Sequence, residues 1–535
     1  MPLDSLSGNV VNMDQLTAAV TLFKSCLSSY RALSSAMPIA VETVEWEWDV
    51  LVRIELARFE IWGRTVGFLD EKSGREIQYL QVTEFADILQ VEGAGSLVHD
   101  ILKSLLQALD DFKSVAMEDE DKHPSLLATL ETANDGLDKC LSASEQAHAA
   151  RSLPSQVLTK YDTPTELDVF VKSGEVKNQH LALTAKSKQA ILLSEDTPTK
   201  DFELSSTQFT GLPHEVDFDD DNPFSGSCTT ARYISPDGSP HTVLIECQWP
   251  APWDGTQIPK AELRRRNKIA ALLMEASQLP RYEDTVCRVP ECLGWFTFRG
   301  MNNGTGIELV GLASDVPPWV DATIPPYSLR KIMEQGYWAG NCRPSLNKRF
   351  SLARAVAQAL YHLQCGGWLH RSLGGHQIIF FYDRESGNLR MDEPFLRGLT
   401  HSFSGQQIVE RDQEVRHGLG WDLETVVETD VYRHPDLWTT NPRGYRPSDD
   451  IYSLGAVLFE IGMWRRVGPD VRQKEDVHLL RVARDALPAA AGEVYTQVVV
   501  DCLEGIQGED SHEGDDGIGS QLLWKVLLPL EKLRV

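Results

Sequence analysis

The sequence predicts a multidomain protein, an N-terminal all-α helical bundle followed by a C-terminal α+β domain. Three observations carry this expectation. Over roughly the first 190 residues, apolar side chains recur every three or four positions. Between Ser194 and Asp221 the composition turns to Ser, Thr, Pro and Asp and closes on the acidic run Asp219, Asp220, Asp221. Beyond it the period changes, with short β-prone runs around turn signals before helical stripes return. The expected boundaries are residues 1–193 for the bundle, 194–221 for an acidic linker and 222–535 for the second domain. A chain of 535 residues is too long for one ordinary core.

The first helix is expected from a cap at Asn12 or Asp14 to about Met37, with Leu16, Val20, Phe23, Leu27, Tyr30 and Leu33 on one stripe. A second runs from about Val41 to Gly67, with Val44, Trp48, Leu51, Ile54, Phe59 and Trp62 inward. Leu97, Ile101, Leu105, Leu109 and Phe112 mark a third. Acidic residues from Glu118 to Asp121 and then Pro124 break the pattern, and a single helix is expected over Leu126 to Ala150, with more helix around Leu167 to Ala190. Around Thr229 to Trp249, two β-prone runs flank Ser235-Pro236-Asp237-Gly238, which predicts a hairpin. Lys260 to Leu279 has helical spacing, Ile307 to Leu312 is β-prone, and Ser345 to Cys365 is a long helix with Leu352, Val356, Leu360 and Leu363 inward. Ile378 to Tyr382 and Asn388 to Met391 read as a short strand pair about Glu385-Ser386-Gly387. A helix opening at Asp449-Asp450 continues through Leu458 and Ile461 to Trp464. An acidic, Gly-rich loop from Gly505 to Gly519 precedes a last helix over Leu522 to Leu533.

A net charge of -27 and a pI near 4.9 exclude a general nucleic-acid binder, because such a surface repels phosphate. Arg264, Arg265 and Arg266 form the one tight basic cluster and read as a solvated helix face. Nine cysteines without regular spacing, after an opening unlike a signal peptide, point to reduced thiols in the cytoplasm. Cys287 and Cys292 lack a second ligand pair and read as buried small hydrophobes, so neither a metal nor a cofactor is expected. No run of about 18 apolar residues marks a permanent membrane span.

The chemistry-bearing stretch runs from Trp368 to Phe381 and contains His370-Arg371-Ser372 and, five positions on, Gln377. It resembles the catalytic loop of protein kinases, in which His-Arg-Asp is followed after four residues by Asn. The resemblance implies that Ser372 stands where a kinase has its base and Gln377 where it has a magnesium ligand. Val243-Leu244-Ile245-Glu246 matches the strand that carries the phosphate-gripping lysine, with Glu246 reversing that charge. Leu396-Arg397-Gly398 matches the metal-binding Asp-Phe-Gly, with Leu396 at the Asp position, and only Gly226 stands where a glycine-rich loop is expected. Tyr432 to Asp436, including Pro435, resembles the end of an activation segment, and Asp449 to Gly455 resembles the opening of the central large-lobe helix. The resemblance runs from about Asn222 to the C-terminus and implies two lobes, about 222–315 and about 316–535. It also implies structural roles for His370, Arg371, Pro435, Asp450 and Gly455, with the Asp450 carboxylate accepting from the backbone of His370 and Arg371. With Glu246, Ser372, Gln377 and Leu396 altered, a pseudokinase is expected rather than an enzyme, and Ser372 and Gln377 are expected to be idle. A weak or unorthodox kinase and a non-enzymatic scaffold are the alternatives.

The N-terminal region resembles the HeLo domain of fungal prion-inhibition and incompatibility proteins. The residues that carry this are the helix from Leu22 to Tyr30 and the run from Glu55 to Gly67, with its Trp62-Gly63 ending. The resemblance implies a signalling or regulated cell-death effector whose bundle is restrained by the kinase-like domain. It further implies protein partners, self-association through the bundle and regulated recruitment to a membrane, although Pro2 to Asn12 is less apolar than membrane insertion requires.

Overall fold

The computed structural model describes residues 13–36, 46–70, 94–114, 123–158, 161, 163–193, 201–212, 228–248, 287–302, 305–338, 343–399, 432–438, 445–467, 478–505 and 518–533, with scattered positions between 266 and 277. The chain divides into two compact units, residues 1–185 with 513–520, and residues 186–512 with 521–535. The N-terminal region is helical and the C-terminal region combines antiparallel sheets with helices.

The first unit contains α1 (Met13–Ala36), α2 (Trp46–Thr65), α3 (Ala94–Ser114), α4 (His123–Asp138), α5 (Ala143–Val157) and α6 (Pro164–Lys177), and α7 (Gln179–Leu193) spans the boundary. Val20, Phe23, Leu27, Tyr30 and Leu33 of the expected stripe are all buried. Phe23 stacks on Phe59 with ring centroids 4.6 Å apart, and the Trp62 indole N–H donates to the Leu137 carbonyl at 3.0 Å. Two expectations need correction. The single helix over 126–150 is two, because Ser142 caps α5 in a reciprocal box: its hydroxyl accepts from the Glu145 N–H, and Glu145 accepts from the Ser142 N–H at 2.7 Å. The inward stripe of α3 is Val98, Leu102, Leu105 and Leu109, so Leu97, 54% exposed, lies one position off it. Asn12, Val44 and the side chains of Leu16 and Phe112 lie outside the described residues.

The second unit has a five-stranded antiparallel sheet in the order β1-β2-β3-β5-β4, formed by β1 (Phe209–Thr210), β2 (Cys228–Ile234), β3 (Pro240–Gln248), β4 (Cys292–Asn302) and β5 (Thr305–Asp315). The predicted hairpin is β2–β3, paired from Cys228↔Glu246 to Ile234↔Pro240, with Gly238 at φ +86° in the turn. Residues 201–212 of the expected linker instead belong to the sheet: Trp295 exchanges backbone bonds with Phe202 and Leu204, and β1 pairs with β2. Phe209 stacks on Phe296 at 4.0 Å, and this apolar contact outweighs the polar composition around it. The expected glycine-loop segment and most of the acidic loop after Gly505 fall outside the described residues.

A second sheet, β6 (Tyr327–Ser328), β7 (Ile378–Phe380) and β8 (Phe395–Leu396), accompanies α8 (Leu329–Trp338) and α9 (Leu346–Cys365). Leu352, Val356, Leu360 and Leu363 of α9 are buried as expected. Of the expected strand pair, Ile378 to Phe380 forms β7, and Tyr382 and Leu389 meet in a single bridge. Leu244, Val316, Val320, Ile379, Phe381 and Phe395 form one buried apolar cluster that joins the two sheets. The helical core is α10 (Pro447–Met463), α11 (His478–Ala491) and α12 (Glu493–Glu504). Gly455 lets α10 approach α12, since a Cβ there would lie 2.8 Å from Cys502. A last helix starts over Ile518–Leu522, widens to a π-turn over Leu523–Leu527 and ends over Leu528–Lys532.

Candidate functional site around the 370–377 loop

Gly366 and Gly367 end α9, with Gly367 at φ +79°, and deliver the chain into a buried loop. Arg371 there sits at φ +66°, a left-handed conformation that a side chain disfavours and that its surroundings must hold. The holding group is Asp450, in the first turn of α10 and 0% exposed. Its carboxylate accepts from the His370 N–H at 2.7 Å, the Arg371 N–H at 2.8 Å and the Tyr445 hydroxyl at 2.6 Å. The two backbone donors are those named for it from the sequence; Tyr445 had no spacing signal and was missed. The Arg371 guanidinium lies over the Tyr445 ring, 5.0 Å from its centroid. Burial pushes the Asp450 carboxyl up to about 6, against the lowering effect of these three hydrogen bonds.

The loop also grips the segment after β8. The His370 ring accepts the Ser372 N–H at Nδ1, 3.4 Å away, and so donates from Nε2 to the Arg397 carbonyl at 3.0 Å. Ser372 Oγ donates to the Gly398 carbonyl at 3.2 Å, and the Arg397 N–H donates to the Gln377 carbonyl at 3.0 Å. Gly398 adopts φ +83°, and a Cβ on it would lie 2.4 Å from the Gln377 carboxamide carbon. Gln377 is 0% exposed, and neither polar atom of its side chain has a hydrogen-bond partner among the described residues. From β3, Glu246 Oε2 accepts the Gly398 N–H at 3.3 Å. Ser372 and Gln377 are therefore not idle: one ties the Gly398 backbone and the other packs against its Cα.

Leu396 is fully buried within β8, and its N–H donates to the Arg288 carbonyl at 2.7 Å. Glu246, His370, Arg371, Ser372, Gln377 and Asp450 thus converge on one network, with Leu396 beside it. Gly455 acts at the helix contact with α12, and Pro435 opens the short 3-10 turn Pro435–Trp438.

Chemically, the hydroxyl of Ser372 is engaged with a carbonyl, and Glu246 is engaged with a backbone amide. No group of three or more His, Cys, Asp or Glu among the described residues is placed to hold a metal ion. Cys287 and Cys292 are buried, and burial pushes the Cys292 thiol up to about 12. No described helix is long and apolar enough to cross a membrane. Compared with known proteins, the chain matches no family model and no curated protein sequence.

Proposed function

We propose that this chain is a catalytically inactive, kinase-like signalling protein in which the second unit restrains the helical bundle, acting as an effector of regulated cell death or incompatibility. The observation that carries the reading is the pairing of a kept anchor with lost chemistry. Asp450 holds the backbone of His370 and Arg371, as a kinase loop requires, while the positions read as base, metal ligands and phosphate cation hold Ser372, Gln377, Leu396 and Glu246. Phosphoryl transfer depends on positioned positive charge and metal ions; a carboxylate in place of the lysine repels the phosphates, and Gln377 and Leu396 stand where the resemblance puts the metal ligands. The buried apolar cluster from Leu244 to Phe395 joins the two sheets, which suits a closed cleft better than a filled one. The output role of the bundle rests on the HeLo resemblance of its Trp62-Gly63 helix.

Saturating magnesium-ATP is expected to leave the melting temperature unchanged, and no phosphate should be incorporated on incubation with labelled ATP. A phosphorylation signal abolished by a substitution between 368 and 398 would establish the unorthodox kinase instead. Residues 1–200 expressed without the second unit should associate with membranes or kill the host cell more than the full chain. A harmless bundle that stays off membranes would support the scaffold.

A further inference from the structure

We propose that Glu246, Ser372 and Gln377 form a latch on Gly398, by which the chain itself closes the face between its two sheets. Side chains two residues apart on a strand share a face. Leu244 and Glu246 therefore both point from β3 toward the second sheet. Leu244 enters the apolar cluster with Ile379, Phe381 and Phe395, and Glu246 reaches Gly398, three residues beyond Phe395. Every side of Gly398 is used: its N–H by Glu246, its carbonyl by Ser372, and its Cα face by Gln377. The positive φ favours glycine here, and a side chain at this position would also push the Gln377 carboxamide off the Cα.

The latch is weaker than the anchor behind it. Asp450 is fully buried and accepts three hydrogen bonds of 2.8 Å or less. Glu246 is half-buried and accepts one hydrogen bond among the described residues, at 3.3 Å, while the Gln377 amide stays buried without a partner among them. Gln377 stays on the Gly398 side, since the Arg397 N–H donates to its carbonyl, so of the latch contacts the single 3.3 Å bond to Glu246 is the one that runs between the two sheets. The sheets thus part first at Glu246, exposing the Leu244 and Phe381 faces, while the loop stays tied to α10. This inference uses the geometry alone and does not require the kinase reading, which the ATP experiment tests separately.

Amide hydrogen exchange on the full chain tests it. In the wild-type protein, amide 398 should exchange through a local opening with little dependence on denaturant, whereas amides 370 and 371 should exchange only through a larger, denaturant-sensitive opening. Glu246→Ala should speed amide 398 at least about tenfold and leave 370 and 371 within about twofold, since one hydrogen bond is lost and the anchor is intact. Glu246→Gln keeps an acceptor oxygen and should restore most of the protection. An unchanged rate at 398 in Glu246→Ala, or equal acceleration of 370, 371 and 398, would overturn the latch. If Glu246→Ala does not fold, the wild-type denaturant series decides: 398 opening together with 370 and 371 refutes the proposal.

Discussion

At Asp450, burial and hydrogen bonding act in opposite directions. Removing the carboxylate strands two backbone N–H groups and a tyrosine hydroxyl, so Asp450→Ala should cost about 3 kcal/mol or more. Ser372→Ala loses one hydrogen bond at a half-buried site and should cost about 1 kcal/mol. Gln377→Met keeps the volume and removes two buried polar atoms without described partners, and should stabilise by about 1 kcal/mol. Denaturant unfolding of the three variants checks the order, and a loss for Gln377→Met would show that its amide is paired in solution. The role of Asp450 was legible because a carboxylate at a helix start, 80 positions from a His-Arg pair, belongs to a recognisable pattern. The roles of Ser372 and Gln377 were not, because they depend on Gly398 arriving from another strand.

Among the elements, α2 shows how a sequence ending gets its meaning from a neighbour. Trp62-Gly63 is distinctive in the sequence, and the reason is Phe23: a Cβ at residue 63 would lie 2.2 Å from the tip of its ring. That ring cannot move aside easily, being 0% exposed and boxed by Phe59, Trp62 and Phe68. Alanine gains about 1 kcal/mol in helix propensity over glycine, whereas overpacking costs about 1 to 3 kcal/mol. Gly63→Ala should therefore destabilise the first unit, and Gly63→Val should do so more; a rise in melting temperature for either would contradict the packing argument. The break between α4 and α5 was also readable in principle, since Ser142 and Glu145 stand at capping-box spacing. The strand β4 was missed because its apolar residues are interrupted by Gly294, Gly300 and Arg299, and it gains its identity from pairing with β5.

For the molecule as a whole, buried carboxyls set a pH dependence. Glu460, in the last turn of α10, is 0% exposed, and burial pushes it up to about 7 from an ordinary 4.5, opposed by bonds from the Val467 N–H and Tyr432 hydroxyl and by Arg330 and Arg466. Asp450 rises to about 6 from 3.8. A carboxyl with a raised folded pKa binds its proton more tightly when folded. Its contribution is full below the unfolded value and is lost as pH rises through the folded one. The second unit should therefore lose stability between about pH 4 and about pH 7 through these two groups. Glu460→Gln mimics the protonated form, so its stability relative to wild type should rise by roughly 2 to 3 kcal/mol from about pH 5 to about pH 8. A constant difference across that range would show that Glu460 keeps an ordinary pKa.

By itself the sequence determined the helical stripes of α1 and α9, the β2–β3 hairpin, a helical N-terminal region followed by a sheet-containing one, and the loop held by Asp450. Each of these rests on local period, on turn chemistry at Gly238, or on residue types at recognisable spacing. The tertiary structure alone decided that residues 201–212 join the sheet, that Leu97 faces outward, and that Glu246, Ser372 and Gln377 meet at Gly398. Those outcomes depend on contacts between segments far apart in the chain. Glu246 and Gly398 are separated by 152 positions, and no local pattern encodes which of the many polar side chains will face a given backbone amide.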